Sequence, residues 1–271
     1  MKIKIAVVQF KARNILPEDN LPYAERFIKK ASKAKAELVV FPEVFLSRNC
    51  PIDASSSKSE KICLAKLLLL AKKYKIGIIA GSIIEFSNGK KHNTSYYINS
   101  SGKIAGKYQK EHLWVSEKSK IKKGSHIAMF SISHIKIGLI ICWDLMFPDI
   151  FQKLKRKGVE TIICPSNWNY QDARTGLKYD SNSEVKLVNS LCVERAFENE
   201  IILVFCNTAG KSLAKSQDVS VGISQIAEPF RGVIKKLPHN REAMFVCEID
   251  TSILKDAEKA YHLKRDILHK K

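Results

Sequence analysis

The sequence predicts an α/β protein built from mixed sheets with helices on the outside. Short apolar runs alternate with longer amphipathic segments along the chain, which is the pattern of strands followed by helices. Several apolar runs are continuous rather than alternating, as in strands that are buried on both faces. No internal repeat, low-complexity stretch or linker rich in Pro, Gly and Ser divides the 271 residues, so we expect a single domain over residues 1–271.

The first half of the chain is predicted to begin with alternating strands and helices. The pattern Ser57-x-x-Glu60 is a capping box and indicates the start of a helix. Pro42 ends a buried strand, because proline cannot donate to a ladder, and Gly81 indicates a bend in the next strand. The predicted elements are strand 2–10, helix 19–35, strand 36–43, helix 57–75, strand 76–86 and two strands within 93–110 that turn at Ser101 and Gly102.

The second half is predicted to open with a hairpin whose second strand ends at Cys142. Pro148 occupies the position of a helix N1 proline, so a helix is expected to follow. Asp144 and Asp149 are expected to orient this turn and to cap that helix. A second capping-box pattern opens helix 181–200. The other predicted elements are strands 159–168, 201–210, 219–229, 232–237 and 242–250, then a short helix or tail.

The composition is that of a soluble globular protein, with 45% hydrophobic and 27% charged residues. The formal net charge is +19, which makes nucleic acid or an anionic surface a conceivable partner. The lysines are scattered, however, and the sequence has no arginine-rich block or zinc-finger pattern. A lysine-rich solvated surface is therefore favoured, and a specific nucleic-acid partner is not expected.

The cysteines and the lengths of the apolar runs indicate the cellular compartment in which the protein is expected. The seven cysteines include no CxxC pair and no close Cys/His cluster, so we expect neither a disulfide framework nor a structural zinc site. The apolar stretch at the N-terminus is too short for a signal peptide, and no run approaches the roughly 18 apolar residues of a membrane span. The sequence therefore predicts a reduced, cytoplasmic protein that uses no metal or cofactor and does not bind membranes.

Three polar residues that follow predicted strands could carry chemistry: Glu43, Lys110 and Cys142. Strand ends are where α/β enzymes place catalytic groups. A carboxylate could accept the proton of a thiol, and an ammonium could hold a developing oxyanion. Taken singly, each residue has a plainer interpretation: a core cysteine, a surface or helix-entry carboxylate, and one lysine among many. Spacing alone suggests a nucleophilic site without specifying it.

The chain resembles a known family in several blocks. The segments VVFPEVF, GKYQKEHLW and GLIICWDLMFPD resemble the three signature blocks of the nitrilase superfamily, the carbon–nitrogen hydrolases, in the same order and at similar separations. Further segments, from KIKIAVVQF to SVGISQIAEPFRGVI, extend the resemblance nearly from end to end. The resemblance implies a four-layer α-β-β-α sandwich with two mixed sheets, and a homodimer or higher homo-oligomer.

The resemblance also implies roles for the three residues. Cys142 is the nucleophile, Glu43 the general base and Lys110 the oxyanion stabiliser. The backbone N–H of Trp143 completes the oxyanion hole, as in other strand-turn-helix elbows. Attack of the thiolate on a carbonyl carbon gives a tetrahedral intermediate and then a thioester, which water hydrolyses.

Five further residues receive an interpretation. The family has a second glutamate a few residues beyond the lysine, and Glu117 is the best match, ahead of Glu111. His112, beside the lysine, is interpreted as structural. Arg195 and Glu198 are expected to form a structural ion pair rather than to contact a substrate.

The expected substrate is an amide or an N-carbamoyl amine. True nitrilases typically have Cys-Trp-Glu-Asn after the nucleophile, whereas this chain has Cys-Trp-Asp-Leu. Met146 stands where many dicarboxylate-amide members have an arginine, which weakens the expectation of an omega-amidase. Asn167, Trp168 and Tyr170 are predicted to line the pocket, with packing against a neighbouring subunit as the alternative. Nitrile hydrolysis and a catalytically idle scaffold remain the alternative functions.

Overall fold

A computed structural model describes residues 1–50, 54–87 and 89–263, with backbone only at 54–57 and 87. No helix within these residues is long and apolar enough to cross a membrane. The strands are β1 (Lys2–Gln9), β2 (Leu38–Val40), β3 (Gly77–Ser87), β4 (Lys90–Ile98), β5 (Ile104–Gln109), β6 (Ala128–Ile132), β7 (Ile135–Leu139), β8 (Thr161–Ser166), β9 (Ile202–Asn207), β10 (Gln225–Glu228), β11 (Gly232–Lys236) and β12 (Ala243–Asp250). The α-helices are α1 (Pro17–Lys33), α2 (Ala54–Tyr74), α3 (Pro148–Arg156), α4 (Ser183–Glu198) and α5 (Ser252–Tyr261).

The strands form two mixed six-stranded sheets. The first has the order β12-β1-β2-β3-β4-β5, and the second has the order β11-β10-β9-β8-β7-β6. In each sheet three central strands are parallel, namely β1-β2-β3 and β7-β8-β9, and the flanking strands are antiparallel. The carboxyl ends of three parallel strands therefore meet at one edge of each sheet, as α/β active sites require.

The side chains of β1 show how the layers are stacked. Ile3, Ile5 and Val7 belong to the core between the two sheets. Ala6 and Val8 belong to a second core, between the first sheet and helices α1 and α2. Helices α3 and α4 cover the other face of the second sheet. The prediction of a four-layer α-β-β-α sandwich is confirmed, because strands buried on both faces need a partner on each side.

Two local predictions in the strands and helices are confirmed. Pro148 is the first residue of α3. The register of β3 against β4 shifts between Ala80 and Ile83, around the predicted bend at Gly81. A Cβ added at Gly81 would lie 1.8 Å from the carbonyl oxygen of Pro42, so only glycine permits this approach of the two strands. Strand β2 is shorter than predicted: it ends at Val40, two residues before Pro42.

Both capping-box predictions are wrong. Helix α2 begins at Ala54, three residues before Ser57, whose side chain lies outside the described residues. Helix α4 begins at Ser183 without a side-chain cap. The glutamates of the two patterns bind more distant donors instead: Glu60 accepts hydrogen bonds from Ser47 and Ile84, and Glu184 accepts one from the indole of Trp168.

Candidate active site

Cys142 lies in the turn between β7 and α3. Strand β7 ends at Leu139, three residues earlier than predicted, and a short 3-10 segment runs from Cys142 to Met146. The φ of Cys142 is 48°, in the left-handed region that residues other than glycine rarely occupy. Such a strained turn presents the nucleophile in strand-turn-helix elbows.

The buried carboxylate of Asp144 holds this turn in place. Its Oδ2 accepts hydrogen bonds from the backbone N–H of Ile141 at 2.9 Å and from the hydroxyl of Tyr108 at 2.8 Å. Its Oδ1 accepts the backbone N–H of His112 at 2.8 Å and lies 2.9 Å from the ring Nδ1 of that residue. The ring of His112 also stacks on Phe147 at 3.8 Å, as its structural interpretation predicted. One carboxylate thus joins the end of β5 to the turn.

Arg195 of α4 supports the same turn from the other side. Its Nη1 lies 2.7 Å from Glu198, so the predicted ion pair is present. Its Nε and Nη2 donate to the carbonyl oxygens of Leu145 and Met146, at 3.1 and 3.3 Å. The guanidinium therefore binds the last carbonyls of the 3-10 segment, which would otherwise lack partners.

The structure brings the predicted glutamates, lysine and cysteine together in one cavity of about 220 Å³. The Nζ of Lys110 lies 2.8 Å from Glu43 and 2.7 Å from Glu117. Asn93, which the sequence did not single out, donates to the same two carboxylates at 2.8 Å each. We call Glu43, Asn93, Lys110, Glu117 and Cys142 the inner cluster.

Charges in the inner cluster are set by burial and by proximity. Burial alone would lower the pKa of Lys110, but Glu43 and Glu117 together raise it well above its usual value, so the ammonium is retained. Burial raises the pKa of Glu43, and the charge of Lys110 and a hydrogen bond with the Cys142 thiol oppose that rise. Burial and the Glu43 carboxylate raise the pKa of Cys142 well above its usual value. The resting thiol is therefore neutral and needs a base to become a nucleophile.

Of the other predicted site residues, Trp143, Asn167 and Trp168 line the cavity. The ring of Trp143 lies 5.6 Å from that of Trp168. The backbone N–H of Asn167 donates to Glu43 Oε2 at 2.9 Å, so this loop also fixes the carboxylate. The prediction for Tyr170 is wrong: it does not line the cavity, and its ring packs against the core of the second sheet.

Half-buried residues from distant loops complete the cavity nearer to solvent: Arg48, Trp114, Asp172 and Asp218. We call these four residues the outer wall. The sequence did not single them out: none directly follows a predicted strand, and Trp114, although it closes the segment GKYQKEHLW, was given no role. One feature of the sequence could have pointed to the outer wall: position 48 is an arginine in a chain that uses lysine far more often.

Arg48 ties the loops of the outer wall together. Its Nη1 donates to the carbonyl oxygens of Ala209 and Gly210, at 2.8 and 3.1 Å. Its Nη2 donates to Asn169 Oδ1 at 2.9 Å and to the carbonyl oxygen of Asp218 at 3.3 Å. Burial lowers the pKa of Arg48 to about 10, which still leaves it charged at neutral pH.

One group of side chains in the described part of the chain has metal-ligand spacing: Glu111, His112 and Asp149, whose ligand atoms lie within 4.8 Å of one another. The ammonium of Lys153 already lies 3.2 Å from Glu111 and 3.0 Å from Asp149. None of the three lines the cavity. Asp149 thus pairs with Lys153 and does not cap α3, contrary to the prediction, and Glu111 lies apart from the inner cluster.

Comparisons with known proteins agree with this arrangement. The model of the carbon-nitrogen hydrolase family matches residues 4–259. A probable nitrilase of Schizosaccharomyces pombe is 29% identical over 97% of this chain and 94% of its own. The 2-oxoglutaramate amidase of Bacillus subtilis is 27% identical over 92% of each chain. Nit3 of Saccharomyces cerevisiae, a member of branch 10 of the nitrilase superfamily, superposes with a TM-score of 0.80 at 26% identity and covers 96% of this chain and 94% of Nit3. The chain therefore belongs to the carbon–nitrogen hydrolases of the nitrilase superfamily.

Proposed function

We propose that this chain hydrolyses a small amide or N-carbamoyl amine through a thioester on Cys142. The convergence of a thiol, a carboxylate and a buried ammonium in one cavity carries the proposal. The relatives named as amidases support an amide as the substrate class. The intact inner cluster argues against a catalytically idle scaffold, because two buried carboxylates and a buried lysine are costly to maintain without a use.

In the first half of the reaction, Glu43 takes the thiol proton as the sulfur attacks the carbonyl carbon. The C–S bond forms and the carbonyl π electrons move to oxygen. The ammonium of Lys110 and the backbone N–H of Trp143 stabilise that oxyanion. One such donor typically contributes about 3 kcal/mol to transition-state stability.

In the second half, the C–N bond breaks and the thioester forms. Glu43 returns its proton to the departing nitrogen, because an amine leaves far more easily than an amide anion. Water then attacks the thioester, and Glu43 accepts its proton. The C–S bond breaks, the sulfur recovers the proton from Glu43, and the acid is released with the inner cluster restored.

Glu117 and Asn93 act in this proposal as positioning residues. Both bind groups that react or stabilise charge, and neither needs to exchange a proton. Glu117 holds the ammonium of Lys110 at 2.7 Å and accepts the backbone N–H of Trp114 at 2.8 Å. The position of the ammonium is thereby fixed before the oxyanion forms, so that little reorganisation is needed in the transition state.

Nitrile hydrolysis is the second candidate, favoured by the relative named as a probable nitrilase. The same thiol would add to the nitrile carbon to give a thioimidate. Water would then give a tetrahedral adduct from which ammonia leaves. The homo-oligomer and the cytoplasmic location stay predictions.

The test is ammonia release from matched amides, carbamoyl amines and nitriles, with mass spectrometry of the protein during turnover. We expect turnover and an acyl adduct on the Cys142 peptide. Cys142→Ala should abolish both. Cys164→Ala is the matched control, since this second buried thiol lies behind the turn, 4.0 Å from the Cys142 carbonyl oxygen, and does not line the cavity. Ammonia release by Cys142→Ala at the wild-type rate would refute the proposal.

A further inference from the structure

The walls of the cavity carry an excess of negative charge. Among the described residues, the ionisable acids and bases that line it are four carboxylates and two cations. Two positive and four negative charges sum to −2 when all are ionised. The carboxylates are Glu43, Glu117, Asp172 and Asp218, and the cations are Lys110 and Arg48. A cavity with this balance attracts a cationic substrate and repels an anionic one.

Neither cation is free to pair with a carboxylate on the substrate, although the third N–H of the Lys110 ammonium remains for the oxyanion. Lys110 lies between the carboxylates of Glu43 and Glu117. All four terminal N–H groups of Arg48 point at protein acceptors in the loops of the outer wall. Its remaining Nε–H is enclosed and has no hydrogen-bond partner among the described residues. Bidentate binding of a carboxylate needs two free N–H groups, so Arg48 cannot receive a carboxylate on the substrate.

The two aspartates of the outer wall, in contrast, have unused acceptors. The carboxylate of Asp172 accepts one hydrogen bond, from the backbone N–H of Asn169 at 2.8 Å. The carboxylate of Asp218 accepts none from the part of the chain that is described. Burial raises the pKa of Asp172 to about 7, and the charges of Glu184 and Asp218 add to the rise. These carboxylates repel one another. The charge of Arg48 acts on both of them, so two negative charges face one positive charge, and a bound cation would balance the second.

We propose that the substrate carries a cationic nitrogen group, an ammonium or a guanidinium, at the end remote from the scissile bond, and that Asp172 and Asp218 bind it. The proposal rests on the proposed hydrolysis at Cys142 and adds the substrate class. The amide or carbamoyl carbon lies at the inner cluster and the cation at the outer wall.

The first experiment compares three amides of similar length: 5-aminopentanamide, hexanamide and glutaramate. In the wild type we expect the kcat/KM of the ammonium compound to exceed that of the carboxylate compound at least roughly tenfold, the effect of one nearby charge partly screened by water. The ratio should fall towards one in Asp172→Asn/Asp218→Asn. Equal or faster hydrolysis of glutaramate, or a ratio that the double variant leaves unchanged, overturns the proposal.

A second measurement does not depend on turnover. Cys142 is labelled with 2-aminoethyl or 2-sulfonatoethyl methanethiosulfonate, and the rates at its peptide are followed by mass spectrometry. The cation-to-anion rate ratio should fall roughly tenfold in the double variant. Asp256→Asn, an exposed acid on α5, is the matched control and should leave the ratio unchanged. An unchanged ratio in the double variant rejects the cation site. Failure of the hydrolase proposal is recognised separately, by ammonia release from Cys142→Ala.

Discussion

The inner cluster and the outer wall share one cavity but satisfy their polar groups differently. In the inner cluster, Lys110 and Asn93 each contact both Glu43 and Glu117, so every charge has a fixed partner. The outer wall holds carboxylates with unused acceptors. Only Asn93 Oδ1, among the buried side-chain oxygens and nitrogens of the inner cluster, has no hydrogen-bond partner within the described residues. A network whose charges are paired internally is preorganised for chemistry, whereas one with unused carboxylate acceptors can accept a charged ligand. This difference assigns the chemical reaction to the inner cluster and the selection of the substrate to the outer wall in our proposal.

The largest effect is expected from Lys110→Met. The change leaves two buried carboxylates without a cation, which should cost about 3–5 kcal/mol of stability. It also removes an oxyanion donor, so kcat/KM should fall by roughly a hundredfold to a thousandfold. Urea unfolding and ammonia release measure the two effects. Lys120→Met, at an exposed position on the same loop, is the control. Unchanged stability of Lys110→Met would contradict the pairing.

Asn93→Ala should have the next largest effect. Its amide fixes both carboxylates of the inner cluster from one point. Loss of two charge-assisted hydrogen bonds should cost about 1.5–3 kcal/mol of stability. Because Asn93 positions the base without being proposed to contact the substrate, kcat should fall while KM stays within about twofold. A rise in KM at constant kcat would instead make Asn93 a binding residue.

Arg48→Lys tests the outer wall alone. A lysine keeps the charge but cannot reach all the acceptors, on two other loops, that the planar guanidinium joins. We expect a stability loss of about 1–2 kcal/mol, while the rate at which neutral iodoacetamide alkylates Cys142 remains that of the wild type. Arg26→Lys, at an exposed position of α1, controls for the substitution itself. Slower alkylation in Arg48→Lys would show that the two regions are coupled.

Three members of the inner cluster could be suspected from the sequence because they follow strands, whereas Glu117 and the roles of all four came from the family resemblance. Lys110 comes directly after β5, and Glu43 and Cys142 each lie three residues beyond β2 and β7. Strand type is encoded locally by apolar runs, and strand ends in a two-sheet sandwich converge. Asn93 could not be predicted because it lies inside β4, where no local sequence pattern indicates that its side chain faces the cavity.

The outer wall could not be predicted because long-range contacts define it. Arg48 and Gly210, which are hydrogen-bonded, are 162 residues apart in the chain. Tyr170 failed for a related reason: it opens a 3-10 segment in which Asp172 reaches the cavity wall, while the ring of Tyr170 packs against the core of the second sheet. The capping boxes failed because buried donors from other elements bind Glu60 and Glu184 more favourably than the local backbone does.

Glu60 offers the sharpest contrast with Glu43. It is buried behind the cavity wall, and its partners among the described residues are the hydroxyl of Ser47 and the N–H of Ile84, with no cation in that part of the chain. Burial raises its pKa to about 8.

A raised pKa means that the neutral form is favoured in the folded state. The contribution of Glu60 to stability is complete below the pKa that its carboxyl has in the unfolded chain. That contribution is lost as the pH rises to about 8. Glu60→Gln imitates the neutral form, so wild type should lose up to about 1.4 kcal/mol per pH unit relative to this variant within that range. Unfolding free energies between pH 5 and pH 8.5 measure the difference, with exposed Glu194→Gln as control. Parallel pH profiles of wild type and Glu60→Gln would contradict this expectation. They would mean that Glu60 is ionised in the folded protein over this pH range, with the hydrogen bonds from Ser47 and Ile84 offsetting the cost of burial.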